Sequence, residues 1–434
     1  MEGNQLYMSA NERFVLSSRT CTLTFMLLFA TIWTSCSGAS PDKLSKAVVP
    51  NTVYALGGKT ICQYRISASG SLEPLSPPIA PFTGSSVYKL VFGPRCRFAY
   101  ALNIATRQIF QFRVSEDGQL LPLSPSTVST NDSSLDIILT PNGRFGYVTD
   151  FDGKSVLQYR VNPNGTLASL MPSEVFLDAS PRTLCIHPNS RFLYTANQND
   201  RNISQFRIAE NGQLSPLAPA IPSSGKPSVF TFSPNHQALY VCNWAPGSIS
   251  QYRVNANGVL TSLAPAQILN GSDSASAGLI LAPKVRAAYV TDGGGHIFQY
   301  RVNADDSLSP LSPPFLPTGG SSDKLVITPS GIFVYVSNYG GENISQYKVN
   351  PDGTLTALIP RDITSTPTPE PLTLDPSGKY IYVVNASKDT KSVISQFRIT
   401  VTGQLAPLTP ANVLAGAGSN SIAIAIGVNT SVSR

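Results

Sequence analysis

Eight near-copies of one six-residue phrase recur along the chain and restrict it to a repeat architecture. They read ICQYRI from Ile61, IFQFRV from Ile109, VLQYRV from Val156, ISQFRI from Ile203, ISQYRV from Ile249, IFQYRV from Ile297, ISQYKV from Ile344 and ISQFRI from Ile394. A tyrosine precedes each copy, at Tyr54, Tyr100, Tyr147, Tyr194, Tyr240, Tyr289, Tyr335 and Tyr382, with gaps of 46, 47, 47, 46, 49, 46 and 47 residues. A period of this size means stacked or ring-closed modules, each one supersecondary unit.

The seventh copy, KLVITPSGIFVYVSNYGGENISQYKVNPDGTLTALIP, serves as a template. Four short runs of β-branched and aromatic residues, A to D, alternate with Gly, Pro, Asn and Asp, which is the signature of strands joined by tight turns. No 3.6-residue apolar stripe fits inside the period, which excludes helical repeats. Gly70, Gly118, Gly165, Gly212, Gly258, Gly353 and Gly403 occupy the C–D hairpin, where positive φ is expected, and Asp306 takes that place in the sixth copy. Asn103, Asn197, Asn243, Asn338 and Asn385, with Asp150 and Asp292, stand three residues after the module tyrosine, where they can bond local backbone. Alternation puts the Gln and the basic residue of the phrase on one face of strand C. Both rows are expected to bond backbone between neighbouring sheets, with the basic stems packed on apolar surface. A binding role for all eight basic residues would need eight equivalent ligands, so the structural reading is preferred.

Four-stranded modules in this number predict an all-β fold, a β-propeller of antiparallel blades that leaves only short protected edges. Eight blades are favoured, with seven as the alternative. The first module has strands B, C and D, and SNSIAIAIG from Ser419 reads as a final strand A that would close the ring. The domains are then a signal peptide over 1–35, a tether over 36–46, the propeller over 47–427 and a tail over 428–434. The first boundary rests on Arg13 and Arg19 ahead of the apolar run Thr22–Trp33, too short for a membrane span of about 20 residues.

Only 13% of the residues are charged, against about 25% in ordinary soluble domains. The formal charge of +6 is dispersed, because eight of the 31 basic residues belong to the phrase. Nucleic-acid binding needs clustered cations and is not expected. Cys62, Cys96, Cys185 and Cys242 fall in slots or turns with no C-x-x-C spacing, so neither a metal nor a cofactor is implied. Their disulfide state is left open. Asp150–Phe151–Asp152–Gly153 and Asp305–Asp306 lack the EF-hand ligand pattern and read as turns.

The stretch TSC ending at Cys36 resembles the lipobox of bacterial lipoproteins, with Trp33 where that family usually has Leu. The resemblance implies lipidation at Cys36 and an exported, membrane-tethered protein, otherwise a secreted one. The fragments YVTDFDGKSV, YTANQNDRNI and YVSNYGGENI, each followed by a QYRV-type strand and a turn like NPDGTL, resemble YVTN-type, lactonase-like propellers. That family includes 6-phosphogluconolactonases, and the likeness covers nearly all of residues 47 to 427. Enzymatic members typically carry Pro-His before an inner strand. The corresponding slots here read Pro181-Arg182, Pro227-Ser228 and Pro369-Glu370, and His187, His236 and His296 occupy other module positions.

Residues that break the repeat are the site candidates. The D-to-A connections and the starts of strand A supply Lys89, Arg182, Lys226 and Lys324 as ligand-binding residues, and Glu370, Asp136 and Asp323 as candidate general bases. Trp244 and Tyr339, in B–C loops, are expected on a different rim. The function expected first is that of a cell-envelope binding module, a monomer taking a small polar ligand or a protein. A lactonase-like hydrolase acting on a sugar or organic-acid lactone and a scaffold without ligand are the alternatives.

Overall fold

A computed structural model describes residues 51–57, 60–81, 87–269, 276–366, 368–385, 392–415 and 424–427. The signal, tether, Cys36 and tail lie outside the described residues. Eight four-stranded antiparallel sheets stand around a central axis. Blade 2 shows the plan: strand A Val87–Phe92, B Phe98–Asn103, C Gln108–Val114 and D Leu120–Ser129, in spatial order A-B-C-D. Blade 1 is assembled from both ends of the chain. Its strand B, Thr52–Gly57, pairs with Ile424–Gly427, so the last strand supplies A. Innermost strands of successive blades touch all the way round, the last on the second. The count is therefore eight, and the seven-blade alternative is set aside.

Why this sequence closes a ring can be read at the blade interfaces. Each of the eight apolar clusters spans two neighbouring blades, as where Tyr100, Leu102 and Ile109 of blade 2 meet Ile137, Val148 and Leu157 of blade 3. Strand B is buried end to end in blades 3, 4, 5 and 6, while strand D keeps an exposed face. Burying one such aromatic or aliphatic side chain contributes roughly 1.5–3 kcal/mol, and the interface repeats that gain eight times.

Polar groups then fix the angle between blades. The module tyrosine donates its hydroxyl hydrogen bond to the C–D hairpin carbonyl of the next blade: Tyr100 to Gly165 at 2.6 Å, Tyr194 to Gly258 at 2.7 Å, and Tyr382 of the last blade to Gly70 of the first at 2.7 Å. The phrase glutamine does the same with its carbonyl. Gln111 Oε1 accepts from Leu167 N at 2.6 Å and Gln396 Oε1 from Leu72 N at 2.6 Å, while Gln111 Nε2 donates to Pro125 O of its own blade at 3.1 Å. All eight glutamines are buried and satisfied this way, as buried amides must be.

The basic row behaves differently from the expectation. Arg65, Arg113, Arg160, Arg207, Arg253, Arg301, Lys348 and Arg398 are all exposed. Arg253 reaches Asp305 O of the next blade at 3.3 Å, and Arg207 stands over the Phe192 ring. Alternation does place Gln and Arg on one face. Arg, however, is the penultimate residue of strand C, where the interface opens to solvent.

The meander also sets two rims. A–B turns and C–D hairpins share one end of every blade, and B–C loops and D–A connections share the other. They are called here the turn rim and the connection rim. Trp244 and Tyr339 therefore share a rim with the D–A connections, contrary to expectation, because each strand reverses direction.

Candidate functional site

Three of the expected residues meet at the inner wall of blades 2 to 4. Lys89, in strand A of blade 2, donates from its amine to Asp136 Oδ1, just before strand A of blade 3 (Ile137–Leu139). Asp136 Oδ2 accepts from Leu184 N of blade 4 at 2.8 Å, and Asp136 N donates to Thr149 Oγ1 at 2.8 Å. Lys89 is 5% exposed and Asp136 0%. One carboxylate thus ties three consecutive innermost strands together, inside the wall and away from bulk water. Arg182 starts the next inner strand, half-buried, and its Nε has no hydrogen-bond partner among the described residues. Its charge lies close to Tyr88, whose phenol is pushed up mainly by burial, with Arg182 opposing and Asp136 adding to the rise. Tyr88, Lys89, Asp136 and Arg182 therefore feel one another electrostatically, and among the described residues Arg182 has no carboxylate partner.

Lys226 and Lys324 stand elsewhere. Lys226, in the connection into blade 5, holds its amine over the Trp244 ring, 5.8 Å from the centroid, a cation–π geometry. The two segments are zipped by Trp244 N to Lys226 O at 2.8 Å and Lys226 N to Ala245 O at 3.1 Å. Trp244 Nε1 is buried without a partner among the described residues. Lys324 is 5% exposed on the inner strand of blade 7, where its charge opposes the burial that pushes the Cys242 thiol up to about 12. Asp323 and Glu370 lie in the inner strands of blades 7 and 8, Ser322–Ile327 and Pro369–Leu374; their side chains are outside the described set. The four cysteines Cys62, Cys96, Cys185 and Cys242 are buried free thiols. Asp150 spends its carboxylate on Gly153 N at 3.1 Å and Asn131 Nδ2 at 2.7 Å, as an Asx turn.

One pair on the connection rim escaped the sequence reading. Asp292, at the end of strand B of blade 6, is 0% exposed, and His296, which opens strand C, is 36% exposed at its side chain. Asp292 Oδ1 accepts from His296 N at 2.8 Å, and Oδ2 lies 3.2 Å from Nδ1. The ring rests edge-on against Phe315 at 4.9 Å. A carboxylate on Nδ1 selects the tautomer that leaves Nε2 as the free base. In blades 4 and 7 the same loop is closed by amides, Asn197 to Asn202 at 2.7 Å and Asn338 to Asn343 at 2.6 Å. Closing the loop does not require a titratable ring. The available signal was the substitution itself, His where other copies place Thr, Gln, Ser, Asn or Val.

A family model described as lactonase, 7-bladed beta-propeller matches residues 47–225 and 307–419, over half the chain. The chain belongs to the lactonase propeller family. Solved structures agree in fold. A periplasmic gluconolactonase of Pseudomonas aeruginosa is 19% identical, with TM-score 0.56 over 86% of this chain and 99% of that one. A putative 6-phosphogluconolactonase of Bacteroides fragilis is 20% identical, with TM-score 0.56 over 86% and 97%. One of Bacteroides uniformis is 19% identical, with TM-score 0.57 over 73% and 98%. No curated protein matches the sequence. This lactonase-family propeller has one blade more than its family's description. The stretch the family model passes over, residues 226–306, holds Lys226, Trp244, Asp292 and His296.

Proposed function

We propose that this lactonase-family propeller hydrolyses a sugar-acid or organic-acid lactone on its connection rim, with His296 as the general base. The observation that carries the reading is the His296–Asp292 pair: a buried carboxylate on Nδ1 of a part-exposed ring, whose Nε2 makes no hydrogen bond among the described residues. In the proposed step Nε2 takes a proton from water as its oxygen attacks the lactone carbonyl. The acyl–oxygen bond then breaks and the ring oxygen leaves as an alcohol, receiving the proton back from the imidazolium. Asp292 stabilises that imidazolium. Lys226 and the Trp244 ring, on the adjacent blade and the same rim, supply a cation and an aromatic face suited to an anionic sugar acid.

A panel of γ- and δ-lactones of sugar acids tests this reading. Wild-type turnover should fall by about 100-fold or more in His296→Gln and Asp292→Asn, in line with loss of general-base catalysis. Turnover unchanged in both variants would remove His296 from the chemistry. A second reading, ligand binding at the cell envelope without turnover, is favoured by the absence of Pro-His at Pro181-Arg182, Pro227-Ser228 and Pro369-Glu370. On that reading Glu370, Asp136 and Asp323 have no catalytic role, and Arg182, Lys226 and Lys324 hold a polar ligand. It predicts sugar-acid binding by calorimetry, weakened in Arg182→Ala, with no hydrolysis of any lactone. The tether remains part of the proposal, and mass spectrometry of Cys36 decides it.

A further inference from the structure

The two rims of the propeller differ in charge, and the proposed chemistry does not use that difference. The eight basic residues of the repeated phrase all come out, exposed, on the turn rim. Five A–B turns add Arg97, Arg144, Arg191, Arg286 and Lys379, again exposed. In register these stand beside the phrase cations, since the residue after each pairs with the phrase Arg, as Phe98 with Arg113 and Phe145 with Arg160. Four of the eight C–D hairpins, in blades 1, 3, 5 and 8, carry no carboxylate. The other four hairpins carry Glu116, Asp117, Glu210, Asp305, Asp306 and Asp352, fewer than the cations around them, whereas on the connection rim Asp150, Asp152, Glu174, Asp200, Asp292 and Glu342 outnumber Arg107, Lys154, Arg201 and Lys226. Among the described residues Arg253 is the one phrase cation that donates a hydrogen bond, Arg207 stands over the Phe192 ring and Arg301 lies near Asp352, and none of the eight is in an ion pair within 4 Å.

A cation in every blade, all on one annular face, does not suit a single small anion or a linear polymer. It suits a flat surface that presents many equivalent anions. The path of the chain points the same way. Asn51 enters strand B of blade 1 on this rim, its carbonyl accepting from Ile66 N at 2.9 Å at the foot of strand C. The residues ahead of it include Cys36, the proposed point of attachment to the membrane.

We propose that the turn rim docks flat on an anionic lipid bilayer, leaving the connection rim and its candidate site facing away from the membrane. The affinity is electrostatic, each cation close to the surface adding about a fivefold gain, so it is lost in high salt. The test is co-flotation of the mature chain from residue 36, carrying Cys36→Ser, with vesicles of phosphatidylcholine alone or with one quarter phosphatidylglycerol. Parent and variants share this form, so neither the signal nor a lipid contributes to binding. Arg113→Gln, Arg160→Gln and Arg398→Gln combined should weaken binding to anionic vesicles at least tenfold. Arg107→Gln, Lys154→Gln and Arg201→Gln on the connection rim should leave it unchanged. Salt titration of the parent protein needs no variant and should release it from anionic vesicles. Equal binding to neutral and anionic vesicles, equal loss in the two triple variants, or displacement by duplex DNA at matched charge would each overturn the proposal.

Discussion

Gly165 illustrates how one residue answers to a partner far along the chain. Its φ of +89° is the positive value the hairpin was expected to need. A Cβ there would also fall 2.2 Å from Phe98 Cδ1 of the preceding blade. Gly212, Gly258 and Gly403 meet Phe145, Phe192 and Phe333 in the same way. In blade 6 the hairpin residue is Asp306, at φ 65°, and the corresponding position of blade 5 holds Ala238 in place of an aromatic ring. The turn was legible in the sequence because φ > 0 is a local demand. The facing aromatic was not, because it lies across a blade interface. Gly165→Ala should therefore cost about 2–3 kcal/mol in urea unfolding, and Asp306→Gly less than about 1 kcal/mol. His187, half-buried on the turn rim between Phe192, Phe232 and His236, is also testable. Burial holds its pKa below the usual imidazole value, partly offset by hydrogen bonds to His236 O and Asn189. The unfolded chain then takes up the proton first as pH falls. Stability is full above the unfolded value near 6.5 and declines as pH drops through it. His187→Gln should flatten the fall of the melting temperature between about pH 7.5 and 5.5.

At the scale of strands and blades, the phrase is a clamp with separable parts. Its glutamine joins the next blade in every copy and its aromatic ring fills the interface, whereas its basic residue is exposed and among the described residues reaches the next blade's backbone only at Arg253. Gln205→Leu leaves Leu260 N and Pro219 O without their partners, at 2.7 and 3.0 Å. It should destabilise by about 2–4 kcal/mol, whereas Arg113→Gln should stay within about 0.5 kcal/mol. The structural role expected for both rows holds for glutamine alone. The connection rim was half legible. Lys226 stood out as a break in the repeat, and so did Trp244, but pairing them required counting strand reversals. Lys89 and Asp136 stood out for the same reason, yet they are buried in the wall because neighbouring inner strands approach closely enough to share one carboxylate. His296 was visible as a residue and hidden as a pair, since Asp292 follows the common Asn/Asp pattern at the end of strand B.

For the whole molecule, ring closure and blade number follow from the two chain ends. Only four residues, Ile424–Gly427, fasten the last strand to Thr52–Gly57, but Tyr382 and Gln396 lock the same junction from blade 8. Deleting everything after Ala415 should lower the melting temperature by several degrees and expose an edge strand, seen as oligomers in light scattering. On the proposed function the residues that act are ones that break the pattern, and those around His296 lie in the stretch that the family model passes over. The most direct test compares lactone turnover in His296→Gln with that in Asn202→Gln, the same module position two blades away. Loss of turnover in the first with full activity in the second is the predicted result. Equal activity in both would contradict the account.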